Sequence, residues 1–274
     1  MTSVDQRTIW IWLVVALLCV MAWVYVAISA YGMEHMEFGA KMFLMPSMDD
    51  WQLKDLILVL LMWTVMMAAM MLPSTVTMLR SFVDVGQRME VPRAPRDTLG
   101  FVAGYLIAWT AYSLFATLLQ WKLLEVRLVS PMMQASSIWL SGALLLTAGA
   151  YQFTPWKERC LRGCRSPISF LAHEWRPELA GAVRMGWRHG LECIGCCWVL
   201  MLLLFVLGVM NFAWNVVLAA LVIFEKHVPR ERWFLRITGA AFIMWGTIII
   251  ATGAMDDTIC SPRKVVESVI PHAH

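Results

Sequence analysis

The chain has 274 residues, 60% of them hydrophobic and only 15% charged, with a mean hydropathy of +0.66. That balance excludes an ordinary soluble domain and defines a polytopic, all-α transmembrane helix bundle, read as a single integral membrane domain over 1–274. A formal net charge of +3 is too modest for a nucleic-acid-binding surface, so the placement of charge matters more than its sum.

Seven apolar segments follow one another, at about 9–30, 54–81, 98–121, 135–154, 191–209, 212–227 and 234–254. The fifth and sixth are short and joined only at Met210-Asn211. They read either as two spans or as a partly re-entrant pair, which leaves a count of seven or six. The first segment is longer than the apolar core of a cleavable signal and is expected to be retained. If all seven cross and the N-terminus lies inside, 16 of the 22 lysines and arginines fall on the cytoplasmic side, as the positive-inside rule asks. The expected arrangement is N-terminus in, C-terminus out, in a bacterial cytoplasmic (inner) membrane.

The outer loop at 31–52 carries Met33, His35, Met36, Met42, Met45 and Met48 among acidic residues, a composition able to attract a transition cation. A solvated acidic loop is the plainer reading, because no tight ligand spacing is present. In the second segment Met62, Met66 and Met70 form one i, i+4 row, and Met67 and Met71 a second beside it. One broad helix face is therefore lined by thioethers. Pro73 frees the carbonyl of Ala69, so a kink beside the methionines is expected. Gly100 and Gly104 in the third segment have the spacing of close helix packing.

The only extended polar stretch, at 155–190, is expected to be a cytoplasmic Cys/Arg loop. Cys160 and Cys164 lie among Arg159, Arg162 and Arg165, cations able to favour thiolates, although the positive-inside rule is the better-supported account of them. The loop ends at His189 and runs into Cys193, Cys196 and Cys197. On a helix these thiols share one face, with the histidine one turn before Cys193. Cytosolic cysteines in such numbers more often bind metal or do redox chemistry than form disulfides. The second and fifth segments run in opposite directions, which brings Met70 and Met71 to the depth of the cysteines.

The expected metal ligands are thus Cys160, Cys164, His189, Cys193, Cys196, Cys197, Met66, Met70 and Met71. Cys196 and Cys197, being adjacent, compete for one role. Thiolate and thioether ligands suit copper as Cu(I), with zinc or an iron–sulfur cluster behind it. Inert buried thiols and thiol redox chemistry are the competing readings. The last segment has no lysine, which excludes a retinal Schiff base. The spans also lack the deep carboxylates of ion-coupled transporters.

Trp63-Thr-Val-Met-Met-Ala-Ala-Met-Met-Leu-Pro-Ser74, Ala150-Tyr-Gln-Phe-Thr-Pro155, Cys160-x3-Cys164-Arg-Ser-Pro167 and Gly190-x2-Cys193-x2-Cys196-Cys197-Trp198 form a specific combination. Over about residues 53 to 250 the chain resembles the prokaryotic family of predicted metal-binding integral membrane proteins, a domain of unknown function. The resemblance implies metal binding without fixing a substrate. In the family pattern a histidine often precedes the second cysteine of the first pair, where this chain has Gly163.

The expected function is therefore to bind a soft metal, most plausibly copper, for transport or for delivery to a receiving protein, without enzymatic activity. The alternative is a non-catalytic accessory or assembly subunit of a larger membrane complex. Expected partners are the lipid bilayer, other membrane subunits or a metal-receiving protein, and not nucleic acid.

Overall fold

The computed structural model describes residues 3–34, 53–88, 95–128, 137–176, 178–227 and 232–259. Among these there are helices and no strands, and the all-α expectation holds. In chain order they are α1 (Ser3–Glu34), α2 (Leu53–Arg88), α3 (Pro95–Glu125), α4 (Ile138–Gln152), α5 (Pro155–Arg165), α6 (Pro167–Glu174), α7 (Glu178–Leu202), α8 (Leu204–Leu207), α9 (Phe212–His227) and α10 (Arg232–Ile259). The outer loop with His35, Met36, Met42, Met45 and Met48 lies outside the described residues.

Five of these stretches are long and apolar enough to cross a membrane: Ile9–Gly32, Leu53–Gly86, Arg96–Glu125, Glu178–Leu207 and Trp233–Gly253. Of the seven expected segments, the fourth and sixth appear as helices of 15 and 16 residues, shorter than the roughly 20 residues a full crossing takes.

The stretch expected to be a loop is largely helical. Thr154 caps α5 by accepting a hydrogen bond from the Lys157 backbone N–H at 3.3 Å, and Pro155 starts the helix where its missing N–H costs nothing. Pro167 opens α6 in the same way, and α7 begins at Glu178, well before the apolar run at 191. Polarity at these positions therefore marks exposed helix faces rather than irregular chain.

The most extensive interface joins α3 and α7, and its closeness comes from glycines on both sides. A Cβ at Gly104 would lie 2.0 Å from the Val183 carbonyl oxygen, and one at Gly186 2.0 Å from that of Phe101. The Gly100/Gly104 spacing is thus met by Gly186 and Gly190 on the facing helix. A similar seam joins α4 to α10 through Gly142, Gly149, Gly239 and Gly246.

After α8 the chain reverses at Gly208, whose φ of 93° suits a residue without a Cβ. Asn211 then caps α9, its Oδ1 accepting from the Trp214 N–H at 3.2 Å. Residues 203–207 and Val209 are buried, so the reversal begins inside the bundle before Asn211 and Phe212 emerge at its surface. α9 returns antiparallel to the end of α7, which brings Glu225 and Lys226 back to the level of Cys193.

Candidate metal centre

α7 turns its buried face inward with Met185, His189, Cys193, Cys196 and Cys197, each no more than 2% exposed. Cys193 is the hub. Its Sγ accepts a hydrogen bond from Lys226 Nζ at 2.9 Å and lies 3.1 Å from the Tyr105 hydroxyl. Its carbonyl accepts from the thiols of Cys196 and Cys197 at 3.0 and 2.8 Å, the i+3 and i+4 pattern that a helix imposes on short polar side chains.

Cys164 of α5 lies close to Cys193 and Cys196. Cys160, one turn earlier, lays its Sγ over Gly195 of α7, 2.6 Å from where a Cβ there would stand. Cys160, Cys164 and Cys196 lie on the α5 side of Cys193, and Cys197, beside Cys193 and Cys196 as well, also lies toward Tyr112 of α3.

Burial and neighbouring sulfurs, rather than arginine, dominate at Cys160 and Cys164. Arg159 and Arg162 are exposed, while Arg165 reaches across to donate through Nε to the Glu225 carbonyl at 2.9 Å. Arg165 still lies within electrostatic reach of Cys164 and Cys196. Burial raises the Cys160 thiol, with Cys196 and Glu192 adding to the effect. Cys164 is held well above the ordinary value by the neighbouring Cys193 and Cys196, then by burial. Both shifts favour the neutral thiol at these two positions.

The thioether face of α2 is fully internal, with Met66 at 2% exposure and Met67, Met70 and Met71 at 0%. The Met71 carbonyl gathers donors from Ser74 at 2.8 Å, Thr75 at 3.1 Å and Tyr105 at 3.2 Å. Ser74 Oγ in turn accepts from Lys226 Nζ at 2.7 Å. The Met70–Met71 turn and Cys193 therefore lie at one depth, as expected, but α2 and α7 do not face one another across a broad interface. Tyr105 of α3 and Lys226 of α9 stand between them and join both sides.

His189 is enclosed by the rings of Phe101, Tyr105 and Phe170, with centroids 6.0, 5.8 and 5.6 Å away. Its Nδ1 has no hydrogen-bond partner, so one ring nitrogen is unused within an aromatic cage. Beside this region a cavity of about 390 Å³ opens between α5, α6 and α7, lined in part by Arg162, Ser166, His173, Glu174 and Glu192. Among the described residues no three histidine, cysteine, aspartate or glutamate side chains are arranged as a ready-made metal cage.

Sequence reasoning missed the cations at this centre. Lys226 and Lys157, 7% and 0% exposed, count in the sequence as cytoplasmic boundary charges. Lys157 pairs with Glu225 at 2.8 Å, and Gln152 donates to the same carboxylate at 2.8 Å. The available signal is that Glu225 and Lys226 close an apolar helical segment, where a charge can turn inward as readily as outward.

Fold and site together define a membrane-type helical bundle with a buried cluster of soft ligands where α2, α3, α5, α7 and α9 meet. The family model described as PpoB2, copper chaperone, matches residues 60–249, and the chain belongs to that family. No curated protein matches it. No solved structure matches it either.

Proposed function

We propose that the protein is a copper chaperone of the bacterial inner membrane that holds Cu(I) on Cys193 with Cys164 or Cys196 and passes it to a receiving protein. The observation that carries this reading is the clustering of Cys193, Cys196 and Cys197 on one turn of α7, with Cys160 lying over Gly195 and Lys226 joining Cys193 to Ser74 beside Met71. Thiolates and thioethers favour Cu(I). A structural zinc ion takes four ligands in a tetrahedron, and among the described residues no three histidine, cysteine, aspartate or glutamate side chains converge as a metal cage. Cu(I) is satisfied by fewer, softer ligands, and paired thiols suit a carrier that must also release its cargo.

The orientation that places most lysines and arginines inside puts this centre at the cytoplasmic boundary. The cavity beside Glu192 and Gly163, the residues preceding Cys193 and Cys164, is then the port through which cargo enters or leaves. Membrane helices with little burial in the bundle, α1 and α10, face lipid or a membrane partner. The assignment to copper binding is tested directly. Protein purified under reducing, copper-replete conditions should retain copper, and Cys193→Ser with Cys196→Ser should lose it. A metal-free wild type would sink the reading, and a stoichiometric membrane partner on a metal-free chain would favour the accessory-subunit alternative.

A further inference from the structure

We propose that Lys226 is the selector of cargo charge: an ammonium fixed beside Cys193 that favours a singly charged soft cation on two thiolates over a doubly charged one. The inference rests on the reading of Cys193 as a ligand. Lys226 is buried and donates at 2.7 Å to Ser74 and at 2.9 Å to Cys193 Sγ. Ser74 is itself held, since its own hydroxyl donates to the Met71 carbonyl at 2.8 Å. The ammonium is therefore anchored from α2 and aimed at the sulfur on α7.

No carboxylate shares this duty. The adjacent Glu225 is committed to Lys157 and Gln152 on the α4–α5 side. Lys226 lies within electrostatic reach of Cys193, Tyr105, Cys164, Cys196 and His189, and of these the thiols are the groups that ionise on taking up a soft cation.

The charge count then discriminates between ions. Two thiolates with one monovalent cation carry a single net negative charge, which the Lys226 ammonium cancels. Two thiolates with a divalent cation are already neutral, and the ammonium leaves a full positive charge in a buried site. Burying an uncompensated charge is strongly unfavourable. Repulsion between the ammonium and the ion also doubles when the ion's charge doubles. A neutral side chain at this position would remove both penalties from divalent ions and the compensating charge from monovalent ones.

The test compares Ag(I), a redox-stable monovalent probe, with Cd(II), a divalent thiophilic probe, by competition binding to the full chain in detergent. Wild type should prefer Ag(I). Lys226→Met and Lys226→Gln should each shift the Ag(I)/Cd(II) affinity ratio toward Cd(II) by roughly a hundredfold, the scale set by a near-contact charge at intermediate dielectric. Lys226→Arg should keep the wild-type ratio, a rescue that loss of packing would not produce. An unchanged ratio in both neutral variants would overturn the proposal, as would a ratio in Lys226→Arg that shifts as far as theirs. Should either neutral variant fail to fold, the other and the Arg variant still decide. If Cys193→Ser binds both probes as wild type does, the ligand assignment itself fails, an outcome distinct from failure of the selector.

Discussion

At the scale of single residues, direction of burial decides chemistry. Cys160 and Cys164 sit in an arginine-rich sequence, yet the helix turns their thiols onto α7 while Arg159 and Arg162 face outward. With the Cys160 thiol raised above its ordinary 9.0, little thiolate forms at neutral pH. Its alkylation rate should keep climbing about tenfold per pH unit through pH 9, since the thiolate is the nucleophile. A plateau below that pH, in a variant retaining only this cysteine, would restore the arginine argument. His189 shows the reverse limit of sequence reading: its spacing from Cys193 was legible, but the aromatic cage around it was not. Phe101 and Tyr105 come from α3 and Phe170 from α6, contacts no local pattern contains.

At the scale of elements, two features set the geometry of the centre. The first is the α3–α7 seam, which places Tyr105 beside Cys193. Gly186→Ala would put a methyl group 2.0 Å from a backbone oxygen of Phe101, and neither helix can yield locally. Overpacking of this kind costs about 1–3 kcal/mol. Gly195→Ala meets the Cys160 side chain first, at 2.6 Å, and should cost less. Unfolding in detergent and denaturant would rank them, and equal stabilities would contradict a seam made by glycine. The second feature is the buried Lys157–Glu225 pair that ties α5 to α9. Lys157→Met should destabilise by about 3–5 kcal/mol, because it leaves a buried carboxylate without its cation. Adding Glu225→Gln should recover much of that loss, as measured by the same unfolding midpoint. Packing motifs such as Gly100-x3-Gly104 and the Met rows were readable because they repeat at the helical period. The α5 and α6 helices were not, because charged helices and polar loops have the same composition, and the period of a short amphipathic helix is set against partners distant in sequence.

At the scale of the whole molecule, the centre marks a plane. From Leu53 to Ser74, α2 rises about 32 Å, and from Tyr105 to Glu125, α3 rises about 30 Å, at 1.5 Å per residue. Both lengths match the hydrocarbon thickness of a bilayer, about 30 Å. On the other side of the plane lie the end of α2, the start of α3, the first half of α7 and the short helices α5 and α6. The molecule thus reads as an apolar part of bilayer thickness and a polar cap, with the thiols and Lys226 at their junction. Copper-edge X-ray absorption of the Cu(I)-loaded chain tests that account most directly. The account predicts a first shell of sulfur alone in wild type, lost in Cys193→Ser and kept in Cys197→Ser. A shell of nitrogen and oxygen, or a sulfur shell indifferent to Cys193, would contradict it.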